Sequence, residues 1–138
     1  MLQSDLAITD ETPAIAEYCC LRLAAGLSGK SEAAAAAGLP NTIFAVVVRS
    51  DGRAIGMGRI IGDGGTAFQI TDIAVEPQFQ GRGIGKAIVG RLVDYLNEHA
   101  PRGAYVSLIA DGDAHHLYAK YGFKPTAPAS IGMAMVVR

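Results

Sequence analysis

Cysteine, histidine and net charge are all scarce in this chain of 138 residues, and each scarcity removes a class of function. The two cysteines, Cys19 and Cys20, are adjacent, which is poor geometry for a disulfide, so they read as reduced packing thiols. Three scattered histidines supply no zinc-ligand spacing, and no metal is expected. A formal net charge of −1 gives no basic surface for nucleic acid or an anionic membrane, so neither partner is expected. The uncharged C-terminal run 125–137 is too short to span a bilayer and contains Pro125 and Pro128. Asp5, Asp10 and Glu11 do not fit the basic-then-apolar pattern of a signal peptide, which leaves a cytoplasmic location as the expectation.

Half of the residues are hydrophobic, enough for one domain over residues 1–138 with its own core. Leu6 to Thr9 reads as a first strand. Thr12 and Pro13 look like an N-cap and first helical residue, and Ile15, Cys19, Leu23 and Leu27 lie four apart as a buried stripe. Ser31 to Ala37 reads as a short Ala-rich helix. Three strands follow, at Thr42–Arg49, Arg53–Ile61 and Thr66–Val75, separated by Ser50-Asp51-Gly52 and by Gly62 to Gly65. A long helix then carries Ile84, Ile88, Leu92 and Leu96 on one face and ends before Pro101. Tyr105–Ala110 reads as a strand and Ala114–Tyr121 as a helix closed by Gly122, with strands at Phe123–Thr126 and Ile131–Val137. A meander followed by alternating helices and strands is an α+β, or mixed α/β, domain.

Between the third strand and the long helix lies Gln80-Gly81-Arg82-Gly83-Ile84-Gly85-Lys86. A glycine loop at a helix N-terminus presents backbone N–H groups and the positive end of the helix dipole, a ready phosphate site. A nucleotide P-loop is excluded, because Gln80 stands where its first Gly should be and Ala87 replaces the magnesium-binding hydroxyl. A dinucleotide fingerprint is excluded too, because Lys86 takes the third Gly position and the loop follows a meander. The pattern Q/R-x-x-G-x-G/A is satisfied by Gln80, Gly83 and Gly85, although by itself it also describes an ordinary strand-to-helix turn.

Two flanking segments add specificity: Thr71-Asp72-Ile73-Ala74-Val75-Glu76-Pro77 before the loop, and Leu117-Tyr118-Ala119-Lys120-Tyr121-Gly122-Phe123 after it. Together, over about Thr42 to Val137, the three resemble the GNAT superfamily of acetyl-CoA-dependent N-acetyltransferases. The resemblance implies a mostly antiparallel sheet, splayed at the coenzyme site and flanked by about four helices. It implies that Gln80, Gly81, Arg82, Gly83, Ile84, Gly85 and Lys86 hold the coenzyme A pyrophosphate. It places Ile73, Ala74 and Val75 beside the pantetheine arm, where a main-chain amide would polarise the thioester carbonyl. Asp111, Ala114 and Leu117 fall in the segment that meets the coenzyme arm, with Asp111 standing where many relatives carry Asn.

Tyr118 matches the family's general acid, whose phenol, near pKa ~10, gives a proton to the departing thiolate. Asp72 matches an acidic position read as proton acceptor, water relay or anchor. An ordinary aspartate near ~3.9 is a poor base for an ammonium. His115 and His116 read as surface residues. Arg22, Arg59 and Asp63 are candidates for the acceptor pocket, where an arginine would grip a substrate carboxylate. The resemblance therefore implies direct acetyl transfer from acetyl-CoA to a primary amine of a small molecule, with a homodimer as a family expectation. A non-catalytic acyl-CoA sensor and a protein or peptide N-acetyltransferase are the competing readings.

Overall fold

The structure, a computed structural model, describes residues 5–138 and resolves into two units, one running through Leu108 and one from Ile109 to Arg138. The first unit holds a five-stranded sheet in the order β1 (Leu6–Asp10), β2 (Phe44–Ser50), β3 (Arg53–Gly62), β4 (Ala67–Val75) and β5 (Tyr105–Ser107). β1 to β4 are antiparallel neighbours, and β5 joins parallel to β4. Val46, Val47 and Val48 of β2 are all fully buried, as expected for a strand covered on both faces. The β2–β3 hairpin turns on Asp51 (φ 50°) and Gly52 (φ 83°), the paired positive φ angles of a two-residue type I′ turn.

Helices cover both sheet faces. The helix α3 (Ile84–His99) buries Ile84, Ile88, Val89, Leu92 and Leu96, the stripe that its periodicity predicts. Its packing leaves no room for a side chain beneath it: a Cβ at Gly58 would stand 2.6 Å from Ile88 Cγ2 and 2.7 Å from Ile73 Cδ1. On the other side, α1 (Ile15–Ala24) and α2 (Glu32–Gly38) enclose Tyr18, Leu21, Ala35, Leu39, Val47, Met57 and Ala74. Ser31 caps α2 by accepting the Ala34 N–H at 3.0 Å.

The expected buried stripe of α1 is corrected. Ile15 and Leu23 are exposed, at 38% and 65%, whereas Tyr18, Leu21 and Arg22 are buried. The reason is electrostatic, since Tyr18 and Arg22 both reach the buried Asp72 and so set the rotation of the helix. The N-cap is Ala14 rather than Thr12, and the Glu17 carboxylate accepts the Ala14 N–H at 3.0 Å.

In the second unit a 3-10 turn at Gly112–Ala114 leads into α4 (His115–Ala119). Gly122 (φ 91°) closes it, with its N–H donating to the Ala119 carbonyl and that of Phe123 to the Tyr118 carbonyl, a Schellman arrangement. The strands expected at Phe123–Thr126 and Ile131–Val137 do not form. No described segment offers them a ladder, and Met133, Met135, Val136 and Val137 are each more than 80% exposed.

Arg49 of β2 ties α1 to the sheet by pairing with Glu11 and Glu17, each at 2.7 Å. The Arg49 hydrogen bonds hold both carboxyls below their ordinary value of 4.5. A depressed carboxyl stabilises the fold above its unfolded value and loses that contribution as pH falls through the folded value. Urea midpoints of the wild-type chain should therefore drop as pH is lowered below 4.5, and an Arg49→Met variant should show a flatter acid limb; identical limbs would contradict the assignment.

Candidate functional site

The site begins with one extra residue in β4. Met57 pairs with Ala74 and Arg59 with Thr71, so Gly58 alone faces both Asp72 and Ile73, which is a β-bulge. The bulge re-aims neighbouring side chains: Ile73 Cδ1 lies over Gly58 beneath α3, while Asp72 reaches the residues of α1. Asp72 takes φ 58°, a left-handed conformation that Asp tolerates better than most residues but that still needs support.

Support comes from three donors. Arg22 Nη1 binds Asp72 Oδ1 at 2.5 Å, Arg59 Nη1 binds Oδ2 at 2.6 Å, and the Tyr18 hydroxyl donates to Oδ1 at 3.1 Å. The donors are themselves fixed. Arg22 gives Nε to the Ser28 carbonyl and Nη2 to the Ser28 hydroxyl, and Arg59 gives Nε to the Thr42 hydroxyl at 2.9 Å. The Arg59 guanidinium also lies 5.5 Å from the Tyr18 ring centroid, a cation–π contact. Burial first, and then the Asp72 charge, push the Tyr18 phenol above its ordinary value of 10, so it remains a donor. Asp72 Oδ1 therefore accepts from Arg22 and Tyr18, and Oδ2 accepts from Arg59.

Of the acceptor-pocket candidates, Arg22 and Arg59 meet on Asp72, and Asp63 does not join them. Asp63 is exposed in the β3–β4 turn, where its carboxylate accepts from the Thr66 hydroxyl and the N–H groups of Gly65, Thr66 and Ala67. The Thr66 hydroxyl and those N–H groups hold its carboxyl well below the usual range. Its geometry is that of a turn cap. A pocket of about 250 Å³ opens beside Arg59, lined by Tyr18, Lys30, Ala34, Ala35, Gly38, Leu39 and Arg59. Tyr18, Ser28, Lys30 and Thr42 were missed in the sequence; the four-residue spacing of Tyr18 and Arg22 was the available signal for the first.

The strand edge and the loop complete this unit's site. β5 pairs with β4 only from Ala67 to Gln69, so β4 from Ile70 to Val75 has no strand on that side among the described residues. Ile73, Ala74 and Val75 lie in this stretch without a strand partner on that side, with Ile73 half-buried and Ala74 and Val75 buried. Gln80 Nε2 donates to the Val75 carbonyl at 2.9 Å and ties the loop to the end of the strand. Gly81 (φ 79°) and Gly83 (φ 80°) hold left-handed conformations in open space, so backbone conformation rather than crowding demands glycine there. Gly83 is the N-cap of α3 and supplies no side-chain cap. Ile84 is buried while Gly81, Arg82, Gly83 and Lys86 are exposed, and Arg82 lies over the Phe79 ring.

In the second unit Tyr118 is buried at 8% exposure on α4, with Phe123 edge-on to its ring. Burial, and secondarily the charge of Asp111, raise its phenol above 10 and keep it protonated. Ala114 and Leu117 are half-buried, Asp111 is exposed, and His115 and His116 are exposed with their rings tilted against each other.

A profile described as an acetyltransferase (GNAT) domain matches residues 41–125. Among solved structures, a protein of unknown function from meticillin-resistant Staphylococcus aureus, a probable acetyltransferase, superposes with a TM-score of 0.91 at 46% identity, over 96% of this chain and 99% of that one. The chloroplastic GCN5-related N-acetyltransferase 2 of Arabidopsis thaliana is 35% identical over 79 residues, 57% of this chain and 30% of the relative. N-acetylglutamate synthase from Neisseria gonorrhoeae, solved with coenzyme A and L-arginine, shares the fold with a TM-score of 0.68 at 16% identity, over 95% of this chain and 30% of that one. The chain spans less than half the length of the curated relatives it matches.

Replacing Asp72 leaves two buried guanidiniums without their shared partner. An Asp72→Asn variant should lose about 3–5 kcal/mol of stability by urea denaturation. A loss below ~1 kcal/mol, the scale of a surface ion pair, would show that the cluster is not the buried anchor described.

Proposed function

Because the chain belongs to the GNAT acetyltransferase family, we propose that it transfers an acetyl group from acetyl-CoA to the primary amine of a small molecule by direct attack. The observation that carries this reading is the open edge of β4 running into a glycine loop at the N-terminus of α3. That edge can hydrogen-bond an extended amide-bearing arm, and the loop can take the pyrophosphate that the same arm carries. Gln80 to Lys86 cradle the pyrophosphate, and Ile73, Ala74 and Val75 face the pantetheine. Asp111, Ala114 and Leu117 extend the coenzyme contacts. The enzyme uses no metal, and acetyl-CoA is a cosubstrate.

In the reaction the amine nitrogen forms a bond to the thioester carbonyl carbon, and the carbon–sulfur bond breaks. The Ala74 or Val75 N–H stabilises the oxygen charge that develops. Tyr118, kept as a phenol by burial, gives its proton to the departing sulfur, and the proton shed by the acylated nitrogen passes to water, which reprotonates Tyr118. The ammonium must lose a proton before attack. Asp72, with both oxygens bound to arginines and Tyr18, serves as the anchor of the site, so water takes that proton. The pocket of about 250 Å³ favours a small acceptor over a protein or peptide segment. A sensor would need neither the acid nor that pocket. The site lies on a chain with no helix long and apolar enough to cross a membrane among its described residues, and a cytoplasmic location is part of the proposal.

Two variants test these roles. Tyr118→Phe should bind acetyl-CoA with unchanged affinity while kcat falls by about 10²-fold or more; an unchanged kcat would remove the acid assignment. Gly83→Val forces a β-branched residue into φ 80° at the helix cap. It should keep its circular dichroism and lose coenzyme A binding by calorimetry, whereas retained affinity would remove the pyrophosphate role.

A further inference from the structure

The cluster around Asp72 does not balance its charge. Two buried guanidiniums, on Arg22 and Arg59, share one carboxylate, and the side chains of all three are at most 10% exposed. A net positive charge held out of water is costly unless an anion or trapped water answers it. Arg22 has spent every nitrogen on Asp72 and Ser28. Arg59 has spent Nε on Thr42 and Nη1 on Asp72, but Nη2 makes no hydrogen bond to a described residue. It is not a fully buried unsatisfied atom, so it keeps some contact with solvent, and Arg59 lines the pocket beside α2.

Lys30 stands on the rim of the same pocket, exposed, with no ion pair among the described residues. No carboxylate lines the cavity, and its remaining wall is Tyr18, Ala34, Ala35, Gly38 and Leu39. The volume of about 250 Å³ corresponds to about eight waters at ~30 Å³ each, the scale of an amino acid. Glu32 does not line it, and the buried Asp72 carboxylate already accepts from Arg22, Arg59 and Tyr18.

We infer that the acceptor is a small amine bearing a carboxylate, and that Arg59 Nη2 and Lys30 Nζ hold that carboxylate in this pocket. Two donors on two separate groups suit the two oxygens of a carboxylate. The Asp72 and Thr42 bonds hold the Arg59 fork in place before the ligand arrives, so little side-chain entropy is lost on binding. The anion also completes the charge balance of the buried cluster, which gives a carboxylate an advantage over its neutral amide that no surface lysine alone would supply. The inference rests on the acetyl-transfer reading only in naming this ligand the acceptor.

The test uses succinate and succinamide, two probes of matched size and different charge, titrated into the full chain by calorimetry at low salt. Succinate should bind at least about tenfold more tightly than succinamide, the scale of one charge-assisted hydrogen bond. Lys30→Gln, a surface change, and Arg59→Lys, which retains a cation beside Asp72, should each weaken succinate severalfold and leave succinamide unchanged. Equal affinity for the two probes, or undiminished succinate affinity in either folded variant, would overturn the inference. Coenzyme A titrated into the same samples separates the two readings. Succinate binding without coenzyme binding sinks acetyl transfer and leaves the anion site standing, and the reverse result does the opposite.

Discussion

The rest of the molecule depends on one buried carboxylate. Asp72 sits in a left-handed conformation at a β-bulge, and neither the conformation nor the buried charge would persist without Arg22, Arg59 and Tyr18. Those three partners come from α1 and β3, so a single side chain fixes how α1 lies on the sheet and where the Arg59 fork points. A bond of this kind contributes more to uniqueness of geometry than to net stability, because desolvating three charges offsets much of the attraction between them. Its removal is still severe, since the partners remain behind.

The bulge also separates two kinds of work on the two faces of the sheet. Toward α3, Ile73 meets Gly58, Ile88 and Leu92 in a contact so close that a methyl at Gly58 would collide. Toward α1 and α2, Asp72 and Arg59 build a charged floor under a small pocket. One apolar face therefore locks the helix whose N-terminus carries the glycine loop, and one polar face holds the pocket proposed for the acceptor. Along the edge between them, β4 outruns β5 after Gln69 and leaves Ile73 to Val75 without a strand partner on that side among the described residues. Under the proposed function, donor and acceptor chemistry fall on consecutive residues of one strand.

Much of this was legible from local chemistry. The Asp51-Gly52 hairpin, the α3 stripe and the short Ala-rich helix follow from turn and helix rules that need no partner. What could not be read was non-local. Alternation along 67–75 does not reveal one inserted residue, and the partners of Asp72 lie 50 and 13 positions away in Arg22 and Arg59. The α1 face was misassigned for the same reason: a stripe of Ile15, Cys19, Leu23 and Leu27 looks better by hydrophobicity than Tyr18, Leu21 and Arg22, until Asp72 supplies the ion pair. The apolar tail beyond Phe123 has strand-like composition, but composition cannot provide the neighbouring ladder that a strand requires. Asp63, singled out by where the resemblance places the acceptor, is engaged in the turn that it caps.

The central claim is catalytic transfer to an amine, and the most direct measurement is amine-dependent release of coenzyme A thiol from acetyl-CoA, with the product identified by mass spectrometry. A panel of amino acids, polyamines, aminoglycosides and peptides covers the acceptor classes. The account predicts that thiol release rises with at least one small amine and that the same amine is recovered N-acetylated. Acetyl-CoA that binds but is not turned over with any member of the panel would contradict it and favour an acyl-CoA sensor.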